Sequence, residues 1–170
     1  REPATAHVEY SFDDGRWIAS PEVRREPGAA EQILLGIPYD VAVRYRLTID
    51  SGNGPITSSE QAIATGHLPD RAPSVAVLAA DESAWDPSLT YLLGTVNTGE
   101  GLLDDPFCTF VIDRQGRLVW YIENPANRMA LHARVSRDGG DLLIYHNSLI
   151  AELDGGAASQ VLRTKIDGTV

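Results

Sequence analysis

Polar and apolar residues alternate along most of this chain, and period-two stretches outnumber any helical spacing. Between Ala6 and Phe12, His7, Glu9 and Ser11 alternate with Val8, Tyr10 and Phe12, the pattern of a half-buried strand. Asp13-Asp14-Gly15 then predicts a turn, because Gly accepts positive φ and Asp bonds to nearby backbone, and Trp17 and Ile18 begin the return. The clearest alternation puts Val41, Val43, Tyr45, Leu47 and Ile49 on one face, with Ala42, Arg44, Arg46, Thr48 and Asp50 on the other. A one-residue slip would bury both arginines, so the register of this strand is strongly specified. Arg24, Arg25 and Glu26 read as a solvated loop or edge, Ser51 to Pro55 as a turn, and Ser59 to Thr65 as a closing strand.

The stretch 67–73 holds two prolines and follows Gly66, a composition that suits neither strand nor helix interior, so it divides the chain into 1–66 and 74–170. Val75 to Ala80 predicts a restarted extended segment, Asp81 to Pro87 a loop, Leu89 to Val96 a strand and Asn97 to Pro106 a Gly/Asp-rich loop. Phe107 to Glu123 and Leu131 to His146 each read as strand, tight Asp/Gly turn and returning strand, two successive hairpins that together suggest one blade of a β-propeller. Turn signals recur at Asp113/Gly116, Asp138/Gly140, Asp154/Gly156 and Asp167/Gly168. Ser148 to Leu153 is then expected to be the blade's outer strand, and Val161 to Ile166 the inner strand of the next.

Composition narrows the functional classes. Hydrophobic residues make up 43% and charged residues 22%, ordinary for a folded domain. The net charge of −10 repels a phosphate backbone and no basic stripe offsets it, which argues against a nucleic-acid partner. No apolar run reaches the roughly 18 residues of a transmembrane helix. The lone cysteine, Cys108, cannot form an internal disulfide and fits a small buried position in its strand. The four histidines and one cysteine lack zinc spacing, and the Asp/Gly turns lack the alternating oxygen ligands of a calcium loop, so no metal or cofactor site is expected. Trp17, Trp85 and Trp120 read as core anchors, with stacking on an aromatic ligand as the other use of a tryptophan.

A strand, Asp113-x-x-Gly116, then Leu118-Val-Trp-Tyr121, followed by Asp138-Gly-Gly-Asp141 and a Leu-rich strand, resembles the bacterial arylsulfotransferases (aryl-sulfate sulfotransferases). Thr65-Gly-His-Leu-Pro69 is similar to the Thr-Gly-x-Leu-Pro that joins the two parts of those proteins. Val8-Glu-Tyr10, Leu35-Gly-Ile-Pro38 and Val43-Arg-Tyr-Arg-Leu47 resemble later strands of a fibronectin-III domain. The resemblance implies an all-β chain: a partial fibronectin-III-like β-sandwich followed by the first blade or blades of a β-propeller. It also implies a secreted, periplasmic or cell-surface location. The first two sandwich strands, the corner tyrosine and most propeller blades have no counterpart in these residues, so the chain is expected to be a segment of a longer protein.

The resemblance further implies sulfuryl transfer between phenolic compounds through a sulfated histidine, without a cofactor. Period-two geometry puts His132, Arg134 and Ser136 on one strand face, a His and an Arg suited to a sulfate ester. His132 otherwise reads as a lining or surface histidine and Arg134 as half of an ion pair. His146 is the third candidate, or else a hydrogen-bonded turn histidine, while His7 and His67 read as bystanders. Departures from the family's usual motif at Ala133, Ser136 and Arg137 keep a second reading open, a non-catalytic binding, scaffold or assembly module. Partners are accordingly an aryl sulfate or phenol, or further copies of the chain joined through open β edges.

Overall fold

The computed structural model describes residues 3–13, 15–84, 86, 90–97, 107–124, 129–137, 139–147 and 159–166. The described chain is all-β apart from a single 3-10 turn at Glu82–Ala84, and its antiparallel sheets are open rather than closed. It divides into two compact units, Arg1–His67 and Leu68–Val170.

The first unit is one six-stranded sheet. Its centre is β1 (Ala4–Ser11) against β4 (Ala42–Asp50). Two short strands, β2 (Ile18–Ala19) and β3 (Val23–Arg25), pair with the other side of β1. Likewise β5 (Pro55–Thr57) and β6 (Gln61–Ala64) pair with the other side of β4. The charged run at Arg24 and Arg25 thus forms an edge strand. Short strands at both margins limit the length of unpaired backbone open to another chain.

Register assigns the faces. Val8 lies opposite Leu47, Tyr10 opposite Tyr45, Ala6 opposite Ile49, and Ile49 opposite Ile56, so apolar side chains collect on one side. Polar residues collect on the other, where Arg46 donates to Glu9 at 2.7 Å and Thr48 meets Thr57 at 3.0 Å. Trp17 belongs to this polar side rather than to the core: the Arg46 and Arg44 guanidiniums sit over its ring, 4.5 and 5.6 Å from the centroid. On the apolar side Val43 is buried, yet Leu47, Ile49 and Ile56 are 38, 39 and 73% exposed. The Tyr10 hydroxyl donates to the Leu35 carbonyl, tying the 26–38 stretch over part of this face. An open cavity of about 590 Å³ remains between that stretch and a floor that includes Ala6, Tyr45, Leu47 and Ile49.

The second unit contains two three-stranded sheets. One runs β7 (Tyr91–Asn97), β8 (Phe107–Asp113), β9 (Leu118–Glu123); the other β10 (Met129–Val135), β11 (Asp141–Asn147), β12 (Ser159–Lys165). The two sequence hairpins are therefore not one sheet. Phe107 to Glu123 pairs with β7, while Leu131 to His146 forms a separate sheet with β12. The strand expected to open a next blade, Val161 to Ile166, is instead the third strand of this second sheet. Val75 to Ala80 forms no strand, and the outer strand expected at 148–153 lies outside the described residues, as does Trp85.

The sheets pack face to face. Ala130, Leu142 and Ile144 of the second are buried against Leu93, Trp120 and Ile122 of the first, with Ala133 and Leu162 completing the layer. Cys108 is fully buried within β8, as its strand position predicted. Gly94 faces Phe110 across β7 and β8, and a Cβ there would lie 2.7 Å from the ring, so only glycine admits the aromatic side chain at that distance. The Asp113–Arg117 turn closes β8 and β9. Asp113 accepts from the backbone N–H of Gln115 and Arg117, both at 2.9 Å, and from the Arg117 guanidinium at 2.7 Å, while Gly116 takes φ 79°. Burial and then the Asp113 carboxylate raise the Tyr91 phenol above its usual value.

Candidate functional site

The β10–β11 hairpin carries all three candidate residues. Its turn is fixed by local bonds: the Ser136 N–H donates to the Asp141 carbonyl at 2.8 Å, and the Asp141 N–H donates to Ser136 Oγ at 3.0 Å. From there the register runs Arg134 opposite Leu143, Ala133 opposite Ile144 and His132 opposite Tyr145. Beyond His132 the register shifts, and Ala130 stands opposite His146. Leu131 is the extra residue of this bulge.

The hairpin therefore has two faces of different character. His132 and Arg134 share the exposed face, as their spacing predicted, together with Tyr145 and Leu143. Across β12 the same face continues with Val161 beside Tyr145, Arg163 beside Leu143 and Lys165 beside Asp141. Arg163 donates through Nε to Asp141 at 2.9 Å. A shallow depression of about 510 Å³ lies on this side, lined by Ser136, Arg137, Leu143 and Arg163.

His146 is on the opposite face. It alternates in phase with Leu142 and Ile144 and is 2% exposed, between the two sheets. Its Nε2 lies 3.1 Å from Asn124 Oδ1, which also accepts from Thr109 Oγ1 at 3.4 Å. Because an amide oxygen only accepts, this orientation puts the proton on Nε2. Asn124 follows β9 and His146 is in β11, so the contact is a polar link between the sheets. The Asn124 Nδ2 is buried without a partner, a cost of about 1–3 kcal/mol for an orphaned donor. Rotating the amide by 180° would aim that NH₂ at His146 and Thr109 and would require the other imidazole tautomer.

These positions separate the candidates by chemistry. A nucleophilic imidazole must meet its substrate, and His132 is exposed while His146 is sealed inside. The structure thus brings His132 and Arg134 together and leaves His146 apart from them. Sequence reasoning passed over Arg163, Lys165 and Tyr145, which the sheet register adds to the same face. For Arg163 and Lys165 the alternation within 159–165 was the available signal, and for Tyr145 its phase with Leu143, but the shared face becomes evident only when β12 pairs with β11.

Elsewhere, His67 contacts Asp40 through Nδ1 and a carboxylate oxygen at the end of the first unit, and His7 lies 3.9 Å from Glu22. Among the described residues no group of three or more His, Cys, Asp or Glu side chains could hold a metal ion. The described helices include none long and apolar enough to cross a membrane. In comparisons with known proteins, no family model, no curated protein and no solved structure matches this chain.

Proposed function

We propose that this chain is a segment of an arylsulfotransferase-like protein, a fibronectin-III-like sandwich followed by the first blades of a β-propeller, exported or displayed on a bacterial surface. The propeller part of the reading is supported by two successive antiparallel sheets that pack face to face, with β10 against β7. The functional part rests on one observation: His132 and Arg134 stand two residues apart on one exposed strand face. In this reading the His132 imidazole attacks the sulfur of an aryl sulfate, the sulfur–oxygen bond to the aryl group breaks, and the phenolate leaves and takes up a proton. A second phenol, deprotonated as it attacks, then displaces the sulfuryl group from nitrogen. Arg134 balances charge on the sulfuryl oxygens, and no cofactor is required. The test is turnover of 4-nitrophenyl sulfate with a phenol acceptor by the full-length protein. Activity lost in His132→Ala supports transfer through this residue; activity unchanged in the variant, or none in the wild type, overturns it.

A second reading, a non-catalytic binding or scaffold module, is favoured by the position of His146. With that imidazole buried on the opposite face, the hairpin offers one exposed imidazole and a cationic surface, a set better suited to holding an anion than to completing a catalytic constellation.

A further inference from the structure

We infer that the outer face of the β10–β11–β12 sheet docks an acidic, partly apolar polypeptide segment. The inference rests on the second reading above, the binding module, and supplies the partner's chemistry. The face is organised in rows by the sheet register: His132, Tyr145 and Val161 in one, Arg134, Leu143 and Arg163 in the next, Asp141 and Lys165 in the third. Apolar side chains thus occupy part of the middle and far strands, and cations stand on both outer strands. Tyr145 is 37% and Val161 64% exposed, so apolar surface is open to a partner.

The charge on this face opposes that of the chain. The protein carries −10 overall, yet these rows hold two arginines and a lysine against Asp141. Asp141 is itself nearly buried and committed to Arg163, whose side chain remains 69% exposed. At physiological salt the screening length is about 8 Å, so a partner touching the face responds to these local cations more than to distant carboxylates. Arg134 and Arg163 lie two strands apart, roughly 10 Å between backbones at the usual strand spacing. Carboxylates separated by a few residues of an extended chain reach both while its apolar residues cover Leu143, Tyr145 and Val161. Nucleic acid meets the same cations but offers no match to the apolar rows, and it is repelled by the rest of the chain.

The probe is the acidic copolymer poly(Glu,Tyr), with poly(Lys,Tyr) and 4-nitrophenyl sulfate as separate arms, measured by titration calorimetry on the intact protein. The inference expects salt-sensitive binding of poly(Glu,Tyr) alone, weakened about tenfold or more by Arg134→Gln and by Val161→Glu. Val161→Glu places a carboxylate in the face without touching the Arg163–Asp141 pair, and unchanged melting temperatures would establish that both variants fold. Absence of poly(Glu,Tyr) binding, binding indifferent to both variants, or equal binding of poly(Lys,Tyr) overturns the inference. Binding of 4-nitrophenyl sulfate without poly(Glu,Tyr) also overturns it and assigns the cations to a small anion. Loss of the binding-module reading is seen separately, as His132-dependent turnover in the full-length protein.

Discussion

In the second unit, Leu142 and Ile144 of β11 are 1% and 0% exposed, whereas Leu47 and Ile49 of β4 in the first unit remain 38% and 39% exposed. Both pairs belong to well-formed strands with neighbours on each side. The difference is vertical: a second sheet covers β11, and only part of the 26–38 stretch lies over the apolar face of β4. Alternation within a strand specifies which side chains share a face, and burial then depends on whether another layer supplies apolar surface. The same contrast divides β11 itself, where Leu142, Ile144 and His146 are covered and Leu143 and Tyr145 look outward. Here the distinction falls on function, since it separates His146 from His132.

The contrast is broken most severely by truncating the covered side. Ile144→Ala opens a cavity between the sheets and is expected to destabilise the second unit by about 2–5 kcal/mol in urea denaturation. Next in size is Asp113→Ala, which orphans the Gln115 and Arg117 N–H groups and removes the Arg117 pair; about 1–3 kcal/mol should be lost from the same unit. By contrast, Ile56→Ala in the first unit removes the same atoms as the Ile144 truncation from a residue 73% exposed, and is expected to change stability by no more than about 0.5 kcal/mol. A loss at Ile56 as large as at Ile144 would show that the first unit's apolar face is covered after all.

The smallest effect belongs to the polar side of that first sheet. The hydrogen bond from Arg46 holds the Glu9 carboxyl below its usual value, with the charge of Arg46 adding to it and partial desolvation opposing it. A depressed folded-state pKa contributes stability that is complete above the unfolded value near 4.5 and is lost as pH falls through the folded one. Glu9→Gln should therefore lower the urea midpoint slightly at neutral pH, and the difference from wild type should shrink as pH falls below 4.5 and vanish once it is below the depressed folded-state pKa. A difference that persists unchanged at low pH would assign the effect to packing.

Much of the strand layout was legible in the sequence because period-two alternation is local: β1, β4, β8, β9, β11 and most of β10 follow from it. The grouping of strands into sheets was not. Residues 148–158 separate β11 from β12 and residues 98–106 separate β7 from β8, so neither pairing follows from adjacent residues. The bulge at Leu131 was also hidden, since it changes the phase of β10 without changing the character of the sequence. The shared face of His132 and Arg134 lies beyond that bulge and so followed from spacing alone. The interior position of His146 had a signal in its phase with Leu142 and Ile144, but Leu143 and Tyr145 make the opposite phase apolar as well. Trp17 departed from its expected core position because Arg44 and Arg46 satisfy its ring on the polar face.

The separation of the two histidines is open to direct measurement. Diethylpyrocarbonate labelling of the native protein, followed residue by residue with mass spectrometry, reads imidazole access. Rapid modification of His132, with His146 protected until the protein is unfolded, is the predicted result. Equal native-state rates at the two residues would contradict the placement of His146 between the sheets and return it to the face that His132 and Arg134 share.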